Sequence, residues 1–201
     1  MSHFCAGRIF FLTSFIVSQV WSLGIPSTFT QEISGNHELT RRNNSGGGFV
    51  PKPYEDFQIS DGIAGDSLEK SIKVFMEPFG LSLSSDLEIG PTDRLKSISQ
   101  NDLKQLKIMA RAASENENSG FVPALNKAAK DPKKHDELFV GLIANKVLKL
   151  IGQQTYLAID FAQGKADRRQ KLDEEKKKLK KNIELDKQNK GKKMVSYLHQ
   201  D

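Results

Sequence analysis

Residues 138–151 read LFVGLIANKVLKLI, with apolar side chains recurring at three- and four-residue spacing. The spacing continues to Phe161, which predicts a helix with a broad stripe facing the core. Asp131 is suited to cap its start, and Pro132 to occupy the first helical position, where a missing N–H has no intrahelical role. Gly164 is suited to end it. The pattern therefore predicts one long central helix.

A second long helix is predicted after Gly164. Residues 167–190 keep the helical period, but few apolar residues remain among the charges, namely Leu172, Leu179, Ile183 and Leu185. Two helices joined at a glycine are expected to fold back on each other as a hairpin. The predicted fold class is all-α, a single-domain helical bundle with a long C-terminal helical hairpin.

Shorter helices are predicted ahead of the central one. Leu68, Ile72 and Phe75 share one helical face, which ends before residues 78–80 (PFG). A capping box at residues 99–102 (SQND) predicts a helix from Ser99 to about residue 116.

The segments around these helices complete the prediction. Residues 81–96 are expected to form a loop, and no segment shows the alternation of a strand. A break at residues 119–120 (SG) is expected to precede a short helix over residues 122–130.

The N-terminus has the pattern of a secretory signal peptide. Residues 1–8 are a short cationic start, residues 9–17 are apolar, and small residues suit cleavage after Ser22 or Gly24. A membrane anchor is the alternative, but the apolar run is shorter than roughly 20 residues. Residues 1–24 are therefore predicted to be removed and the protein to be secreted.

Cleavage would leave a mature chain without cysteine. The sequence has one cysteine, Cys5, which lies inside the predicted signal peptide. A cysteine-free mature chain can form no disulfide and no thiolate site, so a hydrophobic core must stabilise it.

Residues 25–50 are polar, rich in Gly and Ser and without period, which predicts a disordered leader. Arg41 and Arg42 form a candidate dibasic processing site in this leader. Asn43 begins the Asn-Asn-Ser sequon and is the candidate glycosylation site. The helical domain is predicted over residues 51–196, with a tail at residues 197–201.

No residue set predicts catalysis. His37, His135 and His199 have no metal-ligand spacing. The chain has no Gly-x-Ser-x-Gly, no phosphate loop and no His-Glu-x-x-His. The prediction is a protein that is not an enzyme, with no catalytic, cofactor-binding or metal site.

The remaining candidate is a basic segment. Residues 167–193 hold 12 Lys and Arg against 6 Asp and Glu. The candidate partner-binding residues, here called the basic face, are Lys177, Lys178 and Lys181. An anionic surface or membrane is an alternative partner, and a solubilising helix face is the other interpretation, since acidic residues one turn away can pair with these lysines. Aromatic residues do not interleave the lysines, which argues against specific nucleic-acid binding.

Three segments, in this order, resemble a known family. They are residues 54–65 (YEDFQISDGIAG), residues 145–150 (NKVLKL) and residues 174–179 (EEKKKL), the last followed by Asn182, Leu185, Asp186, Lys187 and Gly191. Together they are similar to the small secreted proteins of filamentous ascomycete fungi. The resemblance covers about residues 54–196, while residues 25–50 have no counterpart and the tail here is richer in lysine.

The resemblance implies an extracellular helical protein without assigned catalysis, of a kind treated as candidate effectors in plant pathogens. The leading hypothesis is therefore a secreted virulence effector that binds a host protein. Delivery into the host cell is left open. The alternative hypothesis is a structural or surface-associated protein of the fungal cell wall.

Overall fold

The computed structural model describes residues 49–199, which are mostly helical. The α-helices in this range are α1 (Tyr54–Phe57), α2 (Ser67–Phe75), α3 (Thr92–Ser97), α4 (Gln100–Asn116), α5 (Val122–Lys127), α6 (Pro132–Ala162) and α7 (Arg168–Gln188). The strands are β1 (Gly62–Ile63), β2 (Ser82–Leu83), β3 (Ile89–Gly90) and β4 (Lys193–Met194). The predicted all-α class is confirmed.

Helix α6 is the central element, as its apolar stripe predicted. The Asp131 carboxylate accepts a hydrogen bond from the backbone N–H of Lys134 at 3.1 Å, and Pro132 occupies the first turn. Helices α2, α4 and α7 pack against α6. Leu148 and Ile151 are completely buried among them, and a buried side chain of this kind contributes about 1.5–3 kcal/mol.

Helices α6 and α7 form the predicted C-terminal hairpin. Gly164 has a φ of +100°, a left-handed conformation that glycine adopts without steric cost. The chain reverses there, and α7 returns along α6. Leu172, Leu179 and Ile183 supply the buried apolar side of α7, although charges surround them in sequence.

The predicted start of α4 is confirmed, but the break after it is wrong. The Ser99 hydroxyl accepts a hydrogen bond from the Asp102 N–H at 3.0 Å. Beyond α4 the chain stays helical through a π-helical turn, Glu117–Phe121, and enters α5 directly. Gly120 lies in that turn, where a Cβ would come within 2.3 Å of the Tyr197 ring. Glycine therefore permits close packing at this position, and it does not end the helix.

The prediction that residues 81–96 form a loop without strands is also wrong. Strands β2 and β3 pair antiparallel, with Ser82 opposite Gly90, and α3 follows them. Strands β1 and β4 form a second antiparallel pair, with Gly62 opposite Met194. Each strand has only two residues, too few for a visible alternation.

The C-terminal residues up to His199 pack on the bundle. Tyr197, which the sequence placed in a tail, has its ring 5.1 Å from that of Phe121 and donates its hydroxyl hydrogen to Asn116. The predicted signal peptide, the leader, Arg41, Arg42 and Asn43 lie outside the described residues.

Candidate partner-binding surface

The basic face lies on the solvent side of α7. Lys177, Lys178 and Lys181 are all exposed, because three- and four-residue steps place them opposite the buried Leu172, Leu179 and Ile183. Within residues 49–199, the side chains of Lys177 and Lys181 have no ion-pair or hydrogen-bond partner. The same holds for the exposed Lys180 in that range.

Lys178 differs from the other two because it bonds to a buried acid. Its ammonium lies 3.1 Å from Glu175 Oε1, and Lys171 lies 2.9 Å from the same oxygen. Burial raises the pKa of Glu175, but the two lysine hydrogen bonds and charges outweigh it and lower this pKa below 4.5. Pairing of these lysines with acids one turn away was the alternative interpretation of the sequence, and Lys178 follows it, with the added feature that its partner is buried.

A second buried acid fixes the far end of α7. Asp186 accepts hydrogen bonds from the Gly65 N–H at 3.2 Å, the Ser67 N–H at 3.1 Å and the Ser67 hydroxyl at 2.7 Å. Asp66, the N-cap residue of α2, makes no side-chain capping bond of its own. The cap of α2 is therefore supplied by α7, and the two helices are held together where both would otherwise fray.

These contacts leave α7 with an outward positive charge. The helix has nine basic and five acidic residues, and two of the acids, Glu175 and Asp186, are buried. Glu175 offsets part of the charge of Lys171 and Lys178, so the positive field at the surface comes mainly from the lysines without partners within residues 49–199. Such a field raises the association rate of an acidic partner.

A small apolar cleft lies beside the N-terminal half of α7. It has a volume of about 170 Å³ and lies between the β2–β3 hairpin, α3 and the α6–α7 hairpin. Its apolar lining is Leu87, Ile89, Leu95, Ala158, Phe161, Ala162 and Leu172. Arg169 lies over the ring of Phe161, 5.6 Å from its centroid, and Glu88 at the rim is paired with Lys176.

A wider groove, of about 550 Å³, is lined partly by Phe57 of α1 and by Lys70 and Lys73 of α2. Two of its lysines are paired, Lys70 with Asp66 at 2.9 Å and Lys73 with Glu69 at 2.6 Å. Lys52 is the third lysine in the lining, and Asp56 lines the groove as well, so the groove holds less unbalanced charge than α7 does.

Metal chemistry and membrane spanning find no support in the described part of the chain. Among residues 49–199, no three His, Cys, Asp or Glu side chains are grouped so as to hold a metal ion. The Nδ1 atom of His199 lies 3.0 Å from Asp61, which also accepts a hydrogen bond from the Ser196 N–H at 2.8 Å.

None of the helices within residues 49–199 is long and apolar enough to cross a membrane.

The structure adds residues that the sequence analysis did not single out. Asp186 and Glu175 looked like ordinary members of a charged helix, and only their tertiary neighbours show that they are buried. The cleft is formed by two segments that are distant in sequence, residues 87–95 and 158–172, so no local pattern could indicate it.

The fold and this surface define a small helical domain with a basic exposed helix. Residues 49–198 match the family described as a domain of unknown function, DUF8454, and the chain belongs to this family. No curated protein and no solved structure matches the chain.

Proposed function

We propose that this protein is secreted and acts by binding a host protein, as a virulence effector of a filamentous fungus, without catalysing a reaction. The observation that carries the proposal is the exposed lysine-rich side of α7, on which Lys177 and Lys181 have no partner within residues 49–199. The N-terminal signal pattern and the resemblance to small secreted fungal proteins support the secreted, fungal part of the proposal.

The basic face is held in a fixed position, which favours recognition over simple solubility. Buried apolar residues and the hydrogen bonds of Asp186 to α2 fix α7 to the bundle. A surface that is already ordered loses less conformational entropy when a partner binds. Lysines that only solubilise a helix require no such fixation.

The test compares two double charge reversals in the secreted protein. Lys177→Glu with Lys181→Glu alters the basic face, and Lys127→Glu with Lys130→Glu makes the same charge change on exposed positions elsewhere. Lys178 is left unchanged, because a carboxylate there would face the buried Glu175. Host proteins captured by the wild type are purified, and their dissociation constants are measured.

We expect the α7 reversal to weaken binding of the host partner at least about tenfold at low salt, and the control reversal to leave it unchanged. The difference should shrink at 1 M salt, where the Debye length is about 3 Å. Unchanged affinity of the α7 variant would show that the basic face is only solvated. Recovery with purified fungal wall, without saturable host-protein binding, would instead favour the structural role.

A further inference from the structure

The apolar cleft beside α7 is the feature that the proposed function leaves unused. Its walls come from Leu87 and Ile89 on the β2–β3 hairpin, from Ala158 and Ala162 on α6, and from Leu172 on α7. Phe161 at its edge is 37% exposed. The cleft is thus an apolar surface that reaches solvent.

The size of the cleft limits what can enter it. A cavity of about 150 Å³ holds one benzene ring, and this cleft measures about 170 Å³. Small-molecule sites usually have about 300–1,000 Å³. The cleft therefore fits one phenylalanine or leucine side chain better than a whole cofactor or metabolite.

The charges along the border of the cleft indicate which residues of the partner flank the inserted side chain. Steps of seven and four residues place Arg169, Lys176 and Lys180 on the same side of α7, and Arg169 lines the cleft itself. Lys180 has no partner within residues 49–199. The distance along the helix from Arg169 to Lys180 is roughly 16 Å, which an extended peptide covers in about five residues.

One of these cations has a surface partner that an incoming acid can replace. Arg169 lies 3.5 Å from Asp173, and both side chains are exposed, so the pair adds little stability. Lys176 differs, because its side chain is only 20% exposed and it is paired with Glu88. Exchange of Asp173 for a carboxylate of a partner therefore costs little.

We propose that this cleft is the anchor site for the partner of α7, and that it takes one phenylalanine or leucine side chain from an acidic segment of that partner. The neighbouring carboxylates of the segment pair with Arg169 and Lys180. This inference rests on the proposed function and adds the chemistry of the recognised segment.

The test uses two capped peptides, Asp-Glu-Phe-Asp-Glu and Asp-Glu-Ser-Asp-Glu, titrated into the isotopically labelled protein. Amide chemical shifts report binding at the cleft. The Phe peptide should shift the amides of Ala162 and Leu172 saturably and bind at least about tenfold more tightly than the Ser peptide, because only Phe buries a large apolar side chain. Equal affinity of the two peptides overturns the anchor site.

Two matched variants test whether the Phe peptide binds in the cleft. Ala162→Leu fills the cleft and should abolish the preference for Phe, whereas Ala112→Leu, at a half-buried position on α4 outside the cleft, should keep it. An unchanged preference in Ala162→Leu overturns the proposal. Circular dichroism of both variants checks folding, and the peptide pair on the wild type decides the question if either variant unfolds.

Failure of this inference is distinguishable from failure of the proposed function. If reversal at Lys177 and Lys181 weakens host-protein binding while Ala162→Leu does not, the anchor site is wrong and the effector surface stands. If the Phe peptide occupies the cleft but no host protein binds saturably, the anchor chemistry stands and the host-protein role is wrong.

Discussion

The carboxylate of Asp186 accepts hydrogen bonds from both the backbone N–H and the hydroxyl of Ser67, at 3.1 and 2.7 Å. Ser67 begins α2, whereas Asp186 lies near the end of α7. One side chain therefore satisfies a helix N-terminus that belongs to a different part of the chain. Both residues are buried, so water cannot replace the bonds if either is lost.

Replacing Asp186 with alanine should lower the free energy of unfolding by about 2–3 kcal/mol, because the N–H and the hydroxyl of Ser67 would remain buried without an acceptor. Urea unfolding followed by circular dichroism measures the change. Glu184→Ala removes an acid two residues away from an exposed position and should stay within about 0.5 kcal/mol of the wild type. Equal losses in the two variants would contradict a specific role for Asp186.

Stability should fall in acid partly because of Glu175. Its folded-state pKa is below the ordinary value of 4.5, so the unfolded chain binds a proton first as the pH falls. The stabilisation is therefore present above about pH 4.5 and is lost as the pH falls through the lower, folded-state pKa. Urea unfolding at a series of pH values should show a shallower acid dependence for Glu175→Gln than for the wild type.

Glu174→Gln is the matched control for that series, because Glu174 is the exposed neighbour. It should keep the acid dependence of the wild type. Asp160 should preserve some acid sensitivity even in Glu175→Gln. Burial raises the pKa of Asp160, but hydrogen bonds from Lys107 and Lys165 outweigh this and lower it overall. A Glu175→Gln profile identical to the wild type would show that the ion pairs of Glu175 add no stability.

Gln154 should be a position where a substitution stabilises the protein. Its side chain is fully buried in α6, and within residues 49–199 neither polar atom of its amide has a hydrogen-bond partner. Methionine has a similar length without the polar atoms that burial leaves unbonded, so Gln154→Met should raise the free energy of unfolding by about 1 kcal/mol. The control, Gln153→Met at the half-buried neighbouring position, should change the free energy of unfolding little. Destabilisation by Gln154→Met would mean that the buried amide has a favourable environment.

Processing of the N-terminus should be visible in secreted material. The signal pattern and Arg41-Arg42 predict mature chains that begin near Leu23, Ile25 or Asn43. N-terminal sequencing of protein from culture medium measures this directly. Secreted protein that retains Met1 would contradict the signal-peptide prediction.

The elements that the sequence predicted are those with local signals. Helix α6 carries an apolar stripe and an Asp-Pro start, and α4 begins with a serine cap, so short-range rules sufficed for both. Gly120 was misinterpreted because a glycine that permits close packing looks the same in sequence as one that ends a helix. The difference is the Tyr197 ring, which comes from a distant part of the chain.

The candidate surface was only partly predictable for a similar reason. Lysine spacing indicated an exposed basic side of α7, and Lys177 and Lys181 are exposed. Helical spacing also allows the pair of Lys178 with Glu175, but the burial of Glu175 follows from tertiary packing. The cleft depends on where the β2–β3 hairpin lies relative to α6 and α7, which no local pattern specifies.

The pairing of β1 with β4 constrains the order in which the newly made chain can fold. Gly62 pairs with Met194, and the acceptor of the Ser67 hydrogen bonds, Asp186, lies 119 residues downstream. At roughly 5–20 residues per second, a ribosome needs roughly 6–24 seconds to make that intervening stretch. Residues 60–67 therefore cannot reach their final state before Asp186 and Met194 have been made, and nascent chains arrested before Asp186 should remain open to protease there. The N-terminal side of the bundle can thus close only after α7 and β4, the elements that complete it, have been made.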